Sequence, residues 1–121
     1  MPRSLCVLVN HPPYGTLEAA EAVRHARGAV GKGWEIVLAF LGESVQTLVP
    51  GQAPPAGEWV CLAEAMSDLR DEAKDRALIL AEVQALTALG LSAADLIPGV
   101  RVVPLDDVAS AMARCDRTLV F

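Results

Sequence analysis

A chain of 121 residues has room for one domain with a real hydrophobic core, held without disulfides or metals. Its net charge of −5 and pI near 4.9, with no basic cluster, argue against nucleic-acid binding by this chain alone, because phosphate neutralisation supplies most of that affinity. Apolar residues make up 53% of the chain but aromatics only 4%, so the core is expected to be Ala, Leu and Val, with aliphatic surface left over for self-association or a partner subunit.

Leu5 to Val9 is an unbroken apolar run, the pattern of a strand covered on both faces in a parallel sheet. The segment after it, Asn10-His11-Pro12-Pro13-Tyr14-Gly15-Thr16, has to turn. Its two prolines fix φ, Gly15 allows unusual dihedrals, and Thr16 is placed to cap a helix starting at Leu17. Ala19, Val23, Ala26 and Val30 form one stripe of that helix, which Gly31-Lys32-Gly33 stops. Glu18, Glu21, Arg24, His25 and Arg27 cover its other side, and His25, one turn after Glu21, reads as a surface ion-pair partner. Glu35 to Leu41 is a second apolar strand, and the helix before it has a suitable length for a right-handed crossover.

Gly42-Glu43-Ser44 closes the second strand, with Ser44 placed to cap a short turn to Leu48, and the Pro- and Gly-rich segment 50–57 reads as a surface loop. Trp59, Leu62, Met66 and Leu69 mark a second helix from Glu58 to about Ala73, which leads into a solvated charge run, Arg70 to Arg76. Ala77 to Ala81 is a third strand that breaks off at Glu82. Val83 to Leu89 is helical with Gly90 as its stop, and Ser92-Ala93-Ala94-Asp95 caps one more turn. Val100 to Val103 is a fourth strand. Leu105, Val108 and Met112 mark a last helix, with Asp106 and Asp107 at its positive end, and Thr118 to Phe121 is a fifth strand. This alternation predicts a three-layer α/β sandwich with a mostly parallel five-stranded sheet, residues 1–121 forming a single domain.

Cys6, Cys61 and Cys115 are odd in number and widely spaced, with no C-x-x-C pair, which argues against a disulfide framework or a zinc site. No apolar run approaches the ~20 residues of a membrane span, and a strand at the start leaves no room for a signal peptide, so the cytoplasm is expected. Neither a dinucleotide fingerprint nor a P-loop occurs, and no cofactor or metal is expected.

A sulfur-carrying cysteine needs an exposed thiolate, favoured by a helix N-terminus or nearby cations. Cys6 lies inside the first strand and reads as buried filler. Cys115 follows the last helix, whose dipole opposes a thiolate, although Arg114 and Arg117 flank it. Cys61, in the first turn of the helix from Glu58, has the best electrostatic position of the three, and packing or an interface is its alternative role. In open α/β sheets ligands gather at the carboxyl ends of strands, so Asn10, His11, Tyr14, Gly15, Thr16, Glu43, Glu82 and Gln84 are the candidate pocket lining. An enzyme, of hydrolase-like activity, would use Glu82 or His11 as general acid or base, or as a metal ligand with Glu43; otherwise His11 is a loop residue and the two carboxylates are solvated. Trp34 and Trp59 read as packing or subunit-contact residues, since no basic residues are interleaved with them.

Pro13-Tyr14-Gly15-Thr16 after the first strand, Val45-Gln46-Thr47-Leu48-Val49-Pro50-Gly51-Gln52 after the second, and an aliphatic final strand ending in Phe121 together resemble the DsrE/DsrF-like family, in its TusC/DsrF branch. The resemblance implies a five-stranded parallel sheet and assembly into homo-oligomers, or hetero-oligomers with DsrE/TusD-like and DsrH/TusB-like subunits. It further implies work in sulfur relay, in which a cysteine persulfide is passed between small proteins, a carrier of TusA/DsrC type among them, ending in tRNA thiolation or sulfur oxidation. The active DsrE/TusD-type subunit keeps its cysteine in the loop after the strand that precedes the Gly-terminated helix. Here that loop begins Glu82-Val83-Gln84, with no cysteine, which implies an accessory, non-catalytic subunit. The alternatives are a sulfurtransferase using Cys61 and a small-ligand binding protein using the crevice after the first strand.

Overall fold

The computed structural model describes residues 3–57 and 60–121. Five strands, β1 (Ser4–Val9), β2 (Glu35–Phe40), β3 (Ala77–Glu82), β4 (Val100–Val103) and β5 (Arg117–Val120), form one sheet in the order β4-β3-β2-β1-β5, and each adjacent pair is parallel. They are joined through α1 (Glu18–Gly31), α2 (Leu62–Ala73), α3 (Val83–Ala88) and α4 (Leu105–Ala113), with 3-10 turns at Gly42–Leu48, Lys74–Arg76 and Ala93–Asp95. The three-layer parallel α/β architecture is the one expected.

The layers follow from strand order. From β1 to β4 the chain advances one way across the sheet, so right-handed crossovers bring α1, α2 and α3 to one face; from β4 to β5 it runs back, which puts α4 on the other. Strand side chains alternate between those faces. Leu5, Val7 and Val9 of β1 and Ile36, Leu38 and Phe40 of β2 meet the stripe Ala19, Val23, Ala26 and Val30 of α1 and the stripe Leu62, Met66 and Leu69 of α2. Phe40, Leu38, Met66 and Leu69 are fully buried, each contributing about 1.5–3 kcal/mol relative to exposure. The opposite core is smaller: Val108 and Ala111 of α4 cover Ala39 and Leu80, with Leu8, Val37, Leu41, Leu78 and Val103 at its margin.

Several expectations are corrected by local geometry. Thr16 is exposed and caps nothing; the Leu17 carbonyl accepts the first helical bond, from Glu21 N–H at 2.9 Å, so Leu17 holds the cap position and α1 begins at Glu18. The second helix begins at Leu62, because Cys61 is extended (φ −73°, ψ 109°) and stands at the cap rather than in the first turn. Glu58 and Trp59, with the packing expected of that tryptophan, lie outside the described residues. The charge run is only partly solvated. Arg76 is half-buried and donates to Val30 O at 3.1 Å and Trp34 O at 3.3 Å, satisfying carbonyls at and beyond the end of α1, while the Arg70 guanidinium donates to Pro98 O. His25 stands 3.9 Å from the Glu21 carboxylate and also packs against the Phe121 ring, centroids 5.2 Å apart. Trp34 packs on the core with the Arg3 guanidinium over its ring.

Candidate functional site

All five strands point their carboxyl ends the same way, so the loops after β1, β2 and β3 open on one rim of the sheet. Ser44 joins the first two. It is fully buried, and its Oγ lies 2.6 Å from Val9 O and 2.7 Å from Leu41 O, so its one proton is shared between the last carbonyl of β1 and the residue after β2. That role replaces the expected turn cap; the turn starts from Leu41, without a side-chain cap bond.

The two loop motifs meet at Tyr14 and Gln52. Tyr14 Oη donates to Gln52 Oε1 at 2.5 Å and accepts from Leu62 N–H at 3.1 Å, which gives one of the unpaired donors at the start of α2 its partner. The Gln52 amide Nε2 donates toward Gln46 O, Thr47 O and Val49 O, all within 2.9–3.0 Å, and so closes the carbonyl end of the 3-10 turn. Gln52 Oε1 accepts a second bond, from the Cys61 thiol at 3.8 Å. Burial pushes the Tyr14 phenol above its ordinary value, the Leu62 N–H pulling against it. Beside this cluster Pro13, Tyr14, Gln46, Val49, Gln52, Ala53, Leu89 and Leu91 wall an apolar cleft of about 530 Å³.

Glu82 ends β3 and stands at the cap position of α3, half-buried, with Oε1 accepting from Gly42 N–H at 3.1 Å. This bond ties the exit of β3 to the exit of β2. Of the other residues expected around a crevice, His11, Gly15, Thr16, Glu43 and Gln84 are exposed, and Asn10, also exposed, spends its N–H on Phe121 O at 2.7 Å. Among the described residues no three His, Cys, Asp or Glu side chains converge as ligands for a metal. Cys6 is fully buried in β1, and Cys115 lies before β5, at the opposite, amino-terminal rim of the sheet. Nothing local in the sequence singles out Gln52, which stands among Pro, Gly and Ala like ordinary loop filler, or Gln46, which stands between Val45 and Thr47 in a short turn.

The cluster of Tyr14, Gln52 and Cys61 thus sits at the carboxyl rim of a parallel α/β sandwich. The DsrE/DsrF-like family model matches residues 3–121, and the chain belongs to that family. It is 31% identical, over an alignment of 125 residues, to sulfurtransferase TusD of Yersinia pestis (strain Pestoides F), covering 96% of this chain and 95% of that one, and equally so to TusD of Yersinia pseudotuberculosis. These relatives carry the name TusD, so the narrower TusC/DsrF placement is not what the comparison returns. Among solved structures the ychN protein from E. coli superposes with a TM-score of 0.86 at 21% identity, over 98% of this chain and 99% of that one. MTH1491 from Methanobacterium thermoautotrophicum, a protein of unknown function, superposes at 0.75 with 13% identity, over the same shares. These two likenesses carry the fold.

Proposed function

We propose that this chain serves sulfur relay as an accessory subunit, presenting the family scaffold to a cysteine-bearing partner without carrying sulfur itself. The observation that carries the reading is Glu82. At the exit of β3, where the resemblance calls for the sulfur-carrying cysteine, the side chain is a carboxylate engaged by Gly42 N–H. A carboxylate there repels a persulfide anion and offers no nucleophilic sulfur. Cys6 is sealed in the sheet, and Cys115 opens at the other rim. Leu17, Val60, Leu105 and Val120, all more than half exposed, leave aliphatic surface for related subunits of DsrE/TusD and DsrH/TusB type and for a carrier of TusA/DsrC type. The work is cytoplasmic in this reading; among the described residues no helix is long and apolar enough to cross a membrane.

Cys61 favours a second reading, that of a sulfurtransferase. It caps α2, a helix of 12 residues, and is half-buried beside the cleft. Against it, the charged residue in the first turn of α2 is acidic, Glu64, where an activated thiolate calls for cations. Incubation with a persulfide-loaded donor followed by intact mass measurement separates the two. The accessory reading expects no retained sulfur and co-purification with a cysteine-bearing relative; a gain of one sulfur abolished by Cys61→Ser would replace it with the second.

A further inference from the structure

We propose that Cys6 and Cys115 are an oxidisable dithiol, which closes to an intramolecular disulfide when a hydroperoxide enters the cavity beside Cys115. Strand order creates the pair. β5 lies against β1 with Leu5 opposite Arg117 and Cys6 opposite Thr118. In the bend before β5, Asp116 Oδ2 accepts from Ser4 N–H at 2.9 Å and Ser4 Oγ–H at 3.1 Å, and Asp116 N–H reaches Ser4 O at 3.1 Å, across a separation of 112 positions in the chain. Ser4 and Cys6 share the face of β1 that looks toward α4, and Cys115, one residue before the anchored Asp116, lines a cavity there with Ser4 and with Ala111 of α4. The Cys115 thiol donates to Ala111 O at 3.4 Å, and Cys6 and Cys115 are near enough for each to perturb the other's ionisation.

The two sulfurs are unequal. Cys6 is fully buried; Cys115 is half-buried and forms part of the wall of a cavity of about 230 Å³, together with Ser4, Val37, Arg76, Ala111 and Arg114. The cavity admits a molecule the size of hydrogen peroxide. Burial raises both thiols above their ordinary value; Ser4, Cys6 and the Arg114 charge pull Cys115 back while Asp116 opposes them, and Cys115, the sulfur open to the cavity, is the one placed to meet the peroxide.

Its thiolate attacks one peroxide oxygen; the O–O bond breaks, a sulfenic acid forms on Cys115, and the departing hydroxide takes up the thiol proton as water. The Cys6 sulfur then attacks the Cys115 sulfur. The S–S bond forms, the S–O bond breaks, and the hydroxyl leaves with the Cys6 proton as a second water. Two thiols have lost two electrons, and one peroxide has gained them. Closing the disulfide brings the two sulfurs to about 2.05 Å, and the bend between α4 and β5 is the segment that moves to allow it.

The test is hydrogen peroxide treatment of the full chain, followed by intact mass and non-reducing peptide mapping. The expected result is a loss of two hydrogen atoms, reversed by dithiothreitol, with the Cys6 and Cys115 peptides linked and Cys61 still open to alkylation. Cys115→Ser, a change in a bend whose fold circular dichroism can verify, is expected to abolish the loss. Cys115 carried on to sulfinic acid without a link, a disulfide through Cys61, or an unchanged mass would each overturn the proposal. None of these outcomes bears on Glu82, so this inference and the relay reading fail independently.

Discussion

Tyr14 connects three loops through one hydroxyl: the β1 exit that carries it, Gln52 from the segment after β2, and the first N–H of α2. Tyr14→Phe keeps the ring and removes the hydroxyl's bonds, leaving Gln52 Oε1, Val60 O and Leu62 N–H without that partner. A loss of about 1–3 kcal/mol is expected, read as a lower urea midpoint at unchanged slope. Cys6 makes a different contribution. Burial, and then the neighbouring Cys115, push its thiol from 9.0 up to about 12. The folded chain therefore keeps a proton that the unfolded chain releases, so the stabilisation is complete below pH 9 and is lost as pH rises toward 12, on the order of 4 kcal/mol at full titration. Denaturant midpoints measured upward from pH 9 are expected to fall more steeply for the natural chain than for Cys6→Ala; parallel curves would show that Cys6 is not held protonated. That Cys6 is buried was legible from its place in an apolar run. Its pairing with Cys115 was not, because composition does not reveal that the first and last strands are neighbours.

The elements that read clearly were those with one dominant signal. β4 falls on Val100 to Val103, and α3 stops at Gly90. At that stop Leu91 N–H reaches Leu86 O at 2.9 Å, Gly90 N–H reaches Thr87 O at 3.1 Å, and Gly90 takes φ +71°, the pattern of a helix closed by a left-handed residue. Gly90→Ala has open space for its Cβ but a strained backbone, so a cost of about 1–2 kcal/mol is expected in thermal or urea unfolding; no cost would mean that the turn rearranges. The Ser92 cap also reads correctly: Asp95 Oδ2 accepts from Ser92 N–H at 2.8 Å. The elements that misread were those whose ends are set by tertiary contacts. α2 starts where Tyr14 receives Leu62 N–H, and the end of its charge run is fixed by the bond from Arg76 to Val30 O; neither partner is near in sequence.

For the whole molecule, parallel strands separate the chemistry by rim. The carboxyl rim holds Tyr14, Gln52, Cys61 and Glu82; the amino rim holds Cys115 with Arg3, Arg114 and Arg117 around a cavity of about 630 Å³ beside it. The alternation of strands and helices made that architecture readable. What occupies each rim depended on loops whose meeting is a property of the fold. The accessory role rests on one side chain at the carboxyl rim, and the most direct measurement is intact mass of Glu82→Cys beside the natural chain after exposure to the same persulfide donor. The account expects the variant to gain one sulfur atom while the natural chain gains none. A natural chain that loads sulfur, or a folded Glu82→Cys variant that stays bare, would contradict it.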